Sequence, residues 1–402
     1  MNYTQREVMQ FVEEEDVKFI RLAFCDVCGK LKNISIMNTE LKRAFDTGIA
    51  IDASAIVGFG DEAHSDLFLN PDPSTLAILP WRPEHGRVVR MYCNISNPDG
   101  TPFEVDTRRI LQQAIKKAED AGINFHFGTE FEFYLLKLDE FGNKTNIPYD
   151  NAGYMDVVPS DKGENIRREI CLTLEQMGIY PESSHHEEGP GQNEIDFRYS
   201  SPLEAADNAL TFVSVVGAVA NRSGVGVSFD PKPLPGEPGN GLHINFSIDS
   251  YTSDDVFSYA VAGILKHAVE MTAFLNSKDE SYERLGSNKA PAYVSYGKEN
   301  RSQLIRIPAA SGEYKRAELR SPDPTLNPYL AFAIIINAAL DGIQKGMKLP
   351  KPSNTNFFSA SEKELANYKR LPTSLQEAKE IARSSSFIKK NLPKSILDVY
   401  LK

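Results

Sequence analysis

The chain has 402 residues, room for two or three domains at roughly 150 residues each. Its 55 Asp and Glu outnumber 44 Lys and Arg, giving a formal charge of −11, and no compact Lys/Arg-rich stretch offsets this, so nucleic acid and membrane surfaces are excluded as first partners. Hydrophobic residues at 41% and charged residues at 25% are the mixture of a chain that buries a core, and its longest apolar stretch, residues 330–340, is too short for a bilayer span and predicts a buried helix.

Residues 1–8 carry no apolar segment followed by a small-residue cleavage site, so the expected location is cytoplasmic. Residues 17–24 and 31–36 flank a Gly29-Lys30 turn in the pattern of a hairpin. Residues 75–79 and 87–94 read as two more strands, with a short helix over 40–46 between the pairs. This predicts a small sheet-plus-helix domain over residues 1–100. Cys25 and Cys28 form a lone C-x-x-C at the hairpin; with Cys93 and Cys171 far away, no second ligand pair completes a zinc site, and small side chains at a strand end and turn are expected.

After the turn at Asn97-Pro-Asp-Gly100, Asp106 can cap a helix that Gly122 closes, opening a second domain over 101–402. Further helices are expected at 164–177, 203–221, 254–275 and 327–345, with two more near the C-terminus. Strands lie between them, so the class is α+β.

Four of those strands carry one charged face each. In Phe125-His-Phe-Gly-Thr-Glu-Phe-Glu-Phe133, side chains two apart share a face, so Glu130 and Glu132 oppose Phe125, Phe127, Phe131 and Phe133. Likewise Glu194, Asp196 and Arg198 oppose Ile195 and Phe197; His243, Asn245 and Ser247 oppose Leu242, Ile244 and Phe246; and Arg316, Glu318 and Arg320 share a face. Paired carboxylates on one strand repel each other unless solvent or a cation separates them. If the strands are neighbours, Glu130, Glu132, Glu194, His243 and Glu318 converge, with Glu187 from the loop His185-His-Glu-Glu-Gly-Pro-Gly-Gln-Asn-Glu194. An oxygen-rich set with one imidazole suits Mg²⁺ or Mn²⁺, and its five carboxylates exceed the needs of one ion, so two or more are expected. Divalent ions beside arginines are the requirement of phosphoryl transfer. The adjacent histidines His185 and His186 are read as supports for Glu187, since hard ions prefer oxygen. The Gly/Pro-rich segment 232–243 suits close backbone approach to a ligand and is neither a Walker A loop nor a dinucleotide fingerprint.

At these residues the chain resembles glutamine synthetases of the bacterial type I class. The likeness is carried by Gly128-Thr-Glu-Phe-Glu-Phe133, residues 185–195 and 232–243, Asn300-Arg-Ser302 with Arg306-Ile-Pro308, and Arg316-Ala-Glu-Leu-Arg-Ser-Pro-Asp-Pro324. The resemblance implies a β-grasp-like N-terminal domain and a catalytic domain with a curved antiparallel sheet and surrounding helices. It also implies a homo-oligomer of stacked rings, commonly two hexamers, with sites shared between adjacent subunits. By motif, Glu132, Glu187 and Glu194 correspond to ligands of one ion and Glu130, His243 and Glu318 to those of the other. Arg284, Arg301 and Arg320, with Gly239, correspond to the glutamate and acyl-phosphate site, and Glu182, Ser247 and Arg306 to the nucleotide site. Asp52 corresponds to the aspartate that assists ammonium deprotonation. The implied reaction uses ATP to phosphorylate glutamate, after which ammonia attacks the acyl phosphate.

The sequence departs from that pattern around the acceptor. The usual Pro-Gly-Tyr-Glu-Ala-Pro flap is replaced by Arg284-Leu-Gly-Ser-Asn-Lys-Ala-Pro291, with Lys289 at the glutamate; Ala55 replaces a serine and Pro238 an asparagine. A cation there opposes ammonium, so either a neighbouring carboxylate such as Glu280, Glu283 or Glu299 substitutes or the acceptor differs. Two alternatives therefore stand beside glutamine synthesis: a γ-glutamyl ligase using another amine or acid, and a metal-holding ring protein with a regulatory role and little turnover.

Overall fold

The computed structural model describes residues 3–82, 85–250, 255–309 and 315–402. The N-terminal part runs α1 (Gln5–Glu14), β1 (Val17–Cys25), β2 (Leu31–Met37), α2 (Leu41–Thr47), β3 (Ile49–Asp52), β4 (Asp66–Pro71), β5 (Ala77–Ile78) and β6 (Arg87–Ser96). Its sheet has the order β2-β1-β6-β4-β3, with β5 on β6; the hairpin β1–β2 forms as expected, while β1 and β6 are parallel. Cys25 ends β1 and Cys28 lies in the following turn, both as free thiols.

Two elements stand here beyond those expected, and one expected strand changes. Thr4 and Glu7 form a reciprocal capping box that starts α1, a T-x-x-E signal present in the sequence. The strand β4 buries Leu67 and Leu69 on alternate positions and lies between β6 and β3, although its Asn70-Pro71 ending reads locally as a turn. The strand expected over 75–79 shrinks to Ala77–Ile78, because Asp72 accepts the Ser74 N–H and draws Pro73–Thr75 into a 3₁₀ turn.

The larger part continues with α3 (Thr107–Glu119), β7 (Ile123–Leu138), β8 (Lys144–Pro148), α4 (Glu164–Gln176), β9 (Pro181–His186), β10 (Gln192–Phe197), α5 (Pro202–Arg222), β11 (Gly226–Ser228) and β12 (Leu242–Ser250). Then follow α6 (Val256–Leu275), α7 (Asp279–Arg284), β13 (Tyr296–Lys298), β14 (Ile305–Ile307), β15 (Ala317–Leu319), α8 (Pro328–Lys345), α9 (Glu362–Leu365), α10 (Leu375–Ser384), α11 (Ser386–Asn391) and α12 (Lys394–Tyr400). The expected start of α6 at 254 lies outside the described residues. Near the C-terminus four short helices stand where two were expected, since Ser385 caps α11 directly after α10 and Pro393 precedes α12.

The second sheet has the order β13-β14-β15-β12-β7-β10-β9, with β8 and β11 also on β7. Every pairing is antiparallel except β13 with β14. Alternation sorts its faces: Phe125, Phe127, Phe131 and Phe133 are buried toward the helices, with Phe127 stacked 4.7 Å from Phe332 of α8 and Phe131 4.7 Å from Phe212 of α5. Each such burial contributes roughly 1.5–3 kcal/mol and turns the carboxylate face of β7 away from the core. One described helix, Pro202–Arg222, is long and apolar enough to cross a membrane, and 61% of its apolar window is buried within the fold.

The two sheets are joined by a buried polar network. Arg108 of α3 donates to both oxygens of Asp207 on α5 (3.1 and 2.9 Å) and to Asp72 beside β4 (3.0 Å), while Tyr92 of β6 donates to the Asp207 carbonyl (2.8 Å). One hydrophobic core runs through both parts.

Helices α6 and α8 cross at two glycines. A Cβ on Gly263 would lie 2.1 Å from the Ala338 carbonyl oxygen, and one on Gly342 would lie 2.1 Å from that of Tyr259. Gly263→Ala is therefore expected to destabilise by about 1–3 kcal/mol despite alanine's better helix propensity. Chemical denaturation checks this; a gain in stability would contradict the close crossing.

Candidate active site

The polar face of the second sheet lines a cavity of about 590 Å³. Register brings its residues together: Glu130 pairs across to His243 on one side and Asp196 on the other, Glu132 to Glu194, and Glu318 to Asn245 and Arg306. Four segments separated by as many as 188 positions thus share one wall. Among the described residues, none of the N-terminal sheet contributes to the lining.

At one end, His243 Nδ1 lies 3.0 Å from Glu130 and 3.7 Å from Glu318, and Asn245 donates to the other oxygen of Glu130 at 2.7 Å. Glu318 is almost wholly buried and accepts from Arg320 Nε (2.9 Å) and Arg306 Nη1 (2.7 Å). Burial works to raise its pKa, but the positive charges of Arg320, His243 and Arg306 outweigh it and hold the carboxyl down to about 2. Glu130, His243 and Glu318 present ligand atoms within 4.8 Å of one another.

The other end is electrostatically unsatisfied. Burial, then the neighbouring Glu132, Asp196, Glu130 and Glu187, push the Glu194 carboxyl well above its ordinary range. Glu187 is raised by burial and Glu132, and Asp196 by burial and Glu130. The His185 imidazole Nδ1 lies 3.7 Å from the Glu187 carboxylate. His185, Glu187 and Glu194 form one group of ligand atoms, and Glu130, Glu194 and Asp196 another. Desolvated oxygen donors, with one imidazole in two of these three groups, fit Mg²⁺ or Mn²⁺.

Supporting contacts hold these groups in place. Glu132 accepts from the Gly241 N–H at 2.6 Å. Gly239 has no room for a Cβ, which would lie 2.3 Å from the Pro231 carbonyl oxygen and 2.9 Å from Arg284 Cγ. His186 is buried; its Nε2 lies 2.9 Å from Asp150 and its Nδ1 2.7 Å from the Glu187 carbonyl, so it anchors the backbone that carries Glu187.

Of the residues expected at the site, Glu130, Glu132, Glu187, Glu194, His243, Gly239, Arg284, Arg301 and Arg306 line the cavity, as does Arg320; Glu318 stands directly behind them on Arg306 and Arg320. Arg284 uses its guanidinium on the Ser321 carbonyl (2.7 Å) and the Arg320 carbonyl (3.3 Å). Glu182 and Ser247 sit along β9 and β12 outside the lining, and Arg198 is exposed beyond the end of β10, where the pairing with β9 shifts. Asp52 ends β3, exposed, accepting from Ser54 N–H and Oγ (2.9 and 2.6 Å) away from the cavity.

Reading the sequence missed Tyr154, Glu188 and Gln192 as lining residues, while Arg316, placed on the polar face of its strand without a role, also lines the cavity. Glu188 and Gln192 stand inside a quoted motif and were findable there; Tyr154 comes from a loop with no periodic signal. Glu280, Glu283 and Glu299 do not line the cavity, and the carboxylate that meets Lys289 is Glu188.

A curved sheet whose wall gathers carboxylates and an imidazole beside five arginines is the apparatus of a metal-assisted phosphoryl-transfer enzyme. Residues 104–402 match the glutamine synthetase catalytic domain and residues 16–98 the glutamine synthetase beta-Grasp domain. The chain is 43% identical to a glutamine synthetase of Methanosarcina mazei, over 99% of this chain and 92% of that one. It is 41% identical to one of Clostridium saccharobutylicum, over 99% and 94%. A solved structure described as a GmaS/ADP complex is 26% identical, with a TM-score of 0.89 over 100% of this chain and 94% of that one. The chain belongs to the glutamine synthetase family: a ligase with an N-terminal β-grasp domain and a catalytic domain built on a curled sheet.

Proposed function

We propose that the chain joins glutamate to ammonia at the expense of ATP, through a γ-glutamyl phosphate. The observation that carries this reading is the convergence of two ligand-capable carboxylate groups beside Arg301, Arg306 and Arg320 on one cavity wall. Glu130, His243 and Glu318 would hold one Mg²⁺ or Mn²⁺ and Glu132, Glu187 and Glu194 another, supplying positive charge to the transferring phosphate. Arg301 and Arg320 then hold the glutamate carboxylate and the acyl phosphate, with Arg284 and Gly239 shaping that end. Glu182, Ser247 and Arg306 receive the nucleotide; use of an adenine nucleotide is supported by the ADP complex of the similar solved structure. Ammonia attacks the acyl carbon and phosphate leaves, giving glutamine.

The same reading makes the chain a cytoplasmic ring-forming homo-oligomer, with residues 1–100 and 101–402 as its domains. Asp52 lies outside its own chain's cavity, which supports its completing the site of an adjacent copy. Phe19 and Met37, paired across β1 and β2, are both 45% exposed, which suits burial against a neighbour.

A second reading, a different acceptor amine, is favoured by the Lys289 ammonium on the cavity wall. Release of ADP with glutamate and Mg²⁺, measured with ammonium and then with a panel of amines, separates the two. Stimulation by ammonium is the expected result. Stimulation by another amine alone supports the second reading, and none at all overturns both.

A further inference from the structure

The Glu188–Lys289 pair joins the turn between β9 and β10 to the loop after α7, across 101 positions of sequence. Both side chains line the cavity, and the Lys289 ammonium also lies 5.8 Å from the centre of the Tyr154 ring, within cation–π reach. A carboxylate beside an aromatic face is a site for a small cation.

The loop does not need this pair to keep its shape. Ala290 N–H donates to the Ser287 carbonyl (3.0 Å) and Gly286 N–H to the Ala290 carbonyl (3.2 Å), while Ser287 Oγ donates to the Arg284 carbonyl (2.7 Å). The Lys289 carbonyl accepts from Arg320 at 3.2 Å. The backbone is therefore held from within and from Arg320, and the four-carbon Lys289 side chain can swing without unfolding it. With Lys289 55% and Glu188 35% exposed, the pair is of the kind that adds little to stability. An entering cation displaces Lys289 easily.

The remaining carboxylates of the wall are engaged elsewhere among the described residues. Glu130 is held by His243 and Asn245, Glu132 by Gly241, and Asp196 by Ser183, while Glu187 and Glu194 belong to the ligand groups. Glu188 is the lining carboxylate whose side chain meets only a flexible monocation.

We infer that Glu188 and Tyr154 form the subsite for the cationic acceptor, that Lys289 occupies it as a built-in competitor, and that ammonium enters by displacing the Lys289 side chain. This rests on the ammonia-dependent reading above. It answers how a site with a lysine on its wall admits ammonium: the acidic partner comes from the turn beside Glu187, and the lysine sets the concentration at which ammonium wins.

Full-length Glu188→Gln, Lys289→Met and the double variant are compared by steady-state kinetics with ammonium and with hydroxylamine, which is uncharged at mildly alkaline pH. Lys289→Met is expected to lower the ammonium KM about 2- to 5-fold, by removing the competitor. Glu188→Gln is expected to raise it about 10-fold, by removing the charged acceptor of its hydrogen bonds. The preference for ammonium over hydroxylamine in kcat/KM then moves in opposite directions in the two variants. Movement in the same direction would mean that the pair is a mechanical strap and overturns the subsite, as would an unchanged ammonium KM in both. Hydroxamate formation by the wild type without glutamine formation leaves the ligase standing and overturns the subsite; failure to form either product removes the ligase reading itself.

Discussion

Glu318→Gln is expected to lower turnover by more than about 100-fold, beyond what loss of a residue that merely orients a ligand produces. Glu318 combines three duties at one buried point: it faces His243 and Glu130 in a ligand-capable group, and it accepts from both Arg306 and Arg320. Glutamine keeps one acceptor oxygen but leaves two arginines in a cavity without their countercharge. Breaking a buried pair in this way costs about 3–5 kcal/mol, so the variant should also unfold at markedly lower denaturant concentration. The lowered carboxyl of Glu318 contributes stability that is fully present above the ordinary value of 4.5 and is lost as pH falls toward about 2, so the deficit persists across the neutral range. Kinetics with a denaturation curve checks both halves; near-normal turnover would remove Glu318 from the site.

Glu194→Gln should act in the opposite sense on the metal-free protein. The raised carboxyls of Glu194, Glu187 and Asp196 favour the protonated fold, so their contribution to stability is full below the ordinary carboxylate range and is lost as pH rises through it into their elevated folded values. With chelator present, the thermal midpoint of the wild type is therefore expected to fall as pH rises above the ordinary carboxylate range, and that of Glu194→Gln to fall less. Adding Mg²⁺ or Mn²⁺ should raise the wild-type midpoint, most at the higher pH where the carboxylates are ionised, because an ion that binds only the folded state stabilises it. The variant should lose most of that rise and bind the ion at least about 10-fold more weakly. A wild-type midpoint indifferent to both pH and divalent ions would contradict a metal role for this end of the cavity.

The two ends of the cavity differ because arginine reaches one and not the other. Arg306 and Arg320 hold Glu318 ionised, ready to take a ligand, whereas Glu187 and Glu194 have no arginine in ion-pair reach among the described residues and their carboxyls are raised. This asymmetry predisposes the second group to pH-dependent loading.

Much of this was legible from local pattern. The period-two alternation in 125–133 separates the phenylalanine face from the Glu130/Glu132 face because successive strand side chains must point opposite ways, and the same rule places His243 with Asn245 and Glu318 with Arg320. Asp106, whose side chain accepts from the first N–H groups of α3, marks the start of that helix for an equally local reason. What the tertiary structure decided is everything that depends on which strands meet and in what register: Glu132 lies opposite Glu194 and Glu130 opposite His243, β1 runs parallel to β6, and β4 becomes interior to its sheet. It also set which groups share a charge environment. Glu188 and Lys289 carry no mark of each other in the chain, since nothing within a few residues of either reports a partner 101 positions away. Backbone sterics and side-chain periodicity act over one or two turns, and so can be read residue by residue; pairing, desolvation and Coulomb interaction act through space, and exist only once the chain has closed on itself.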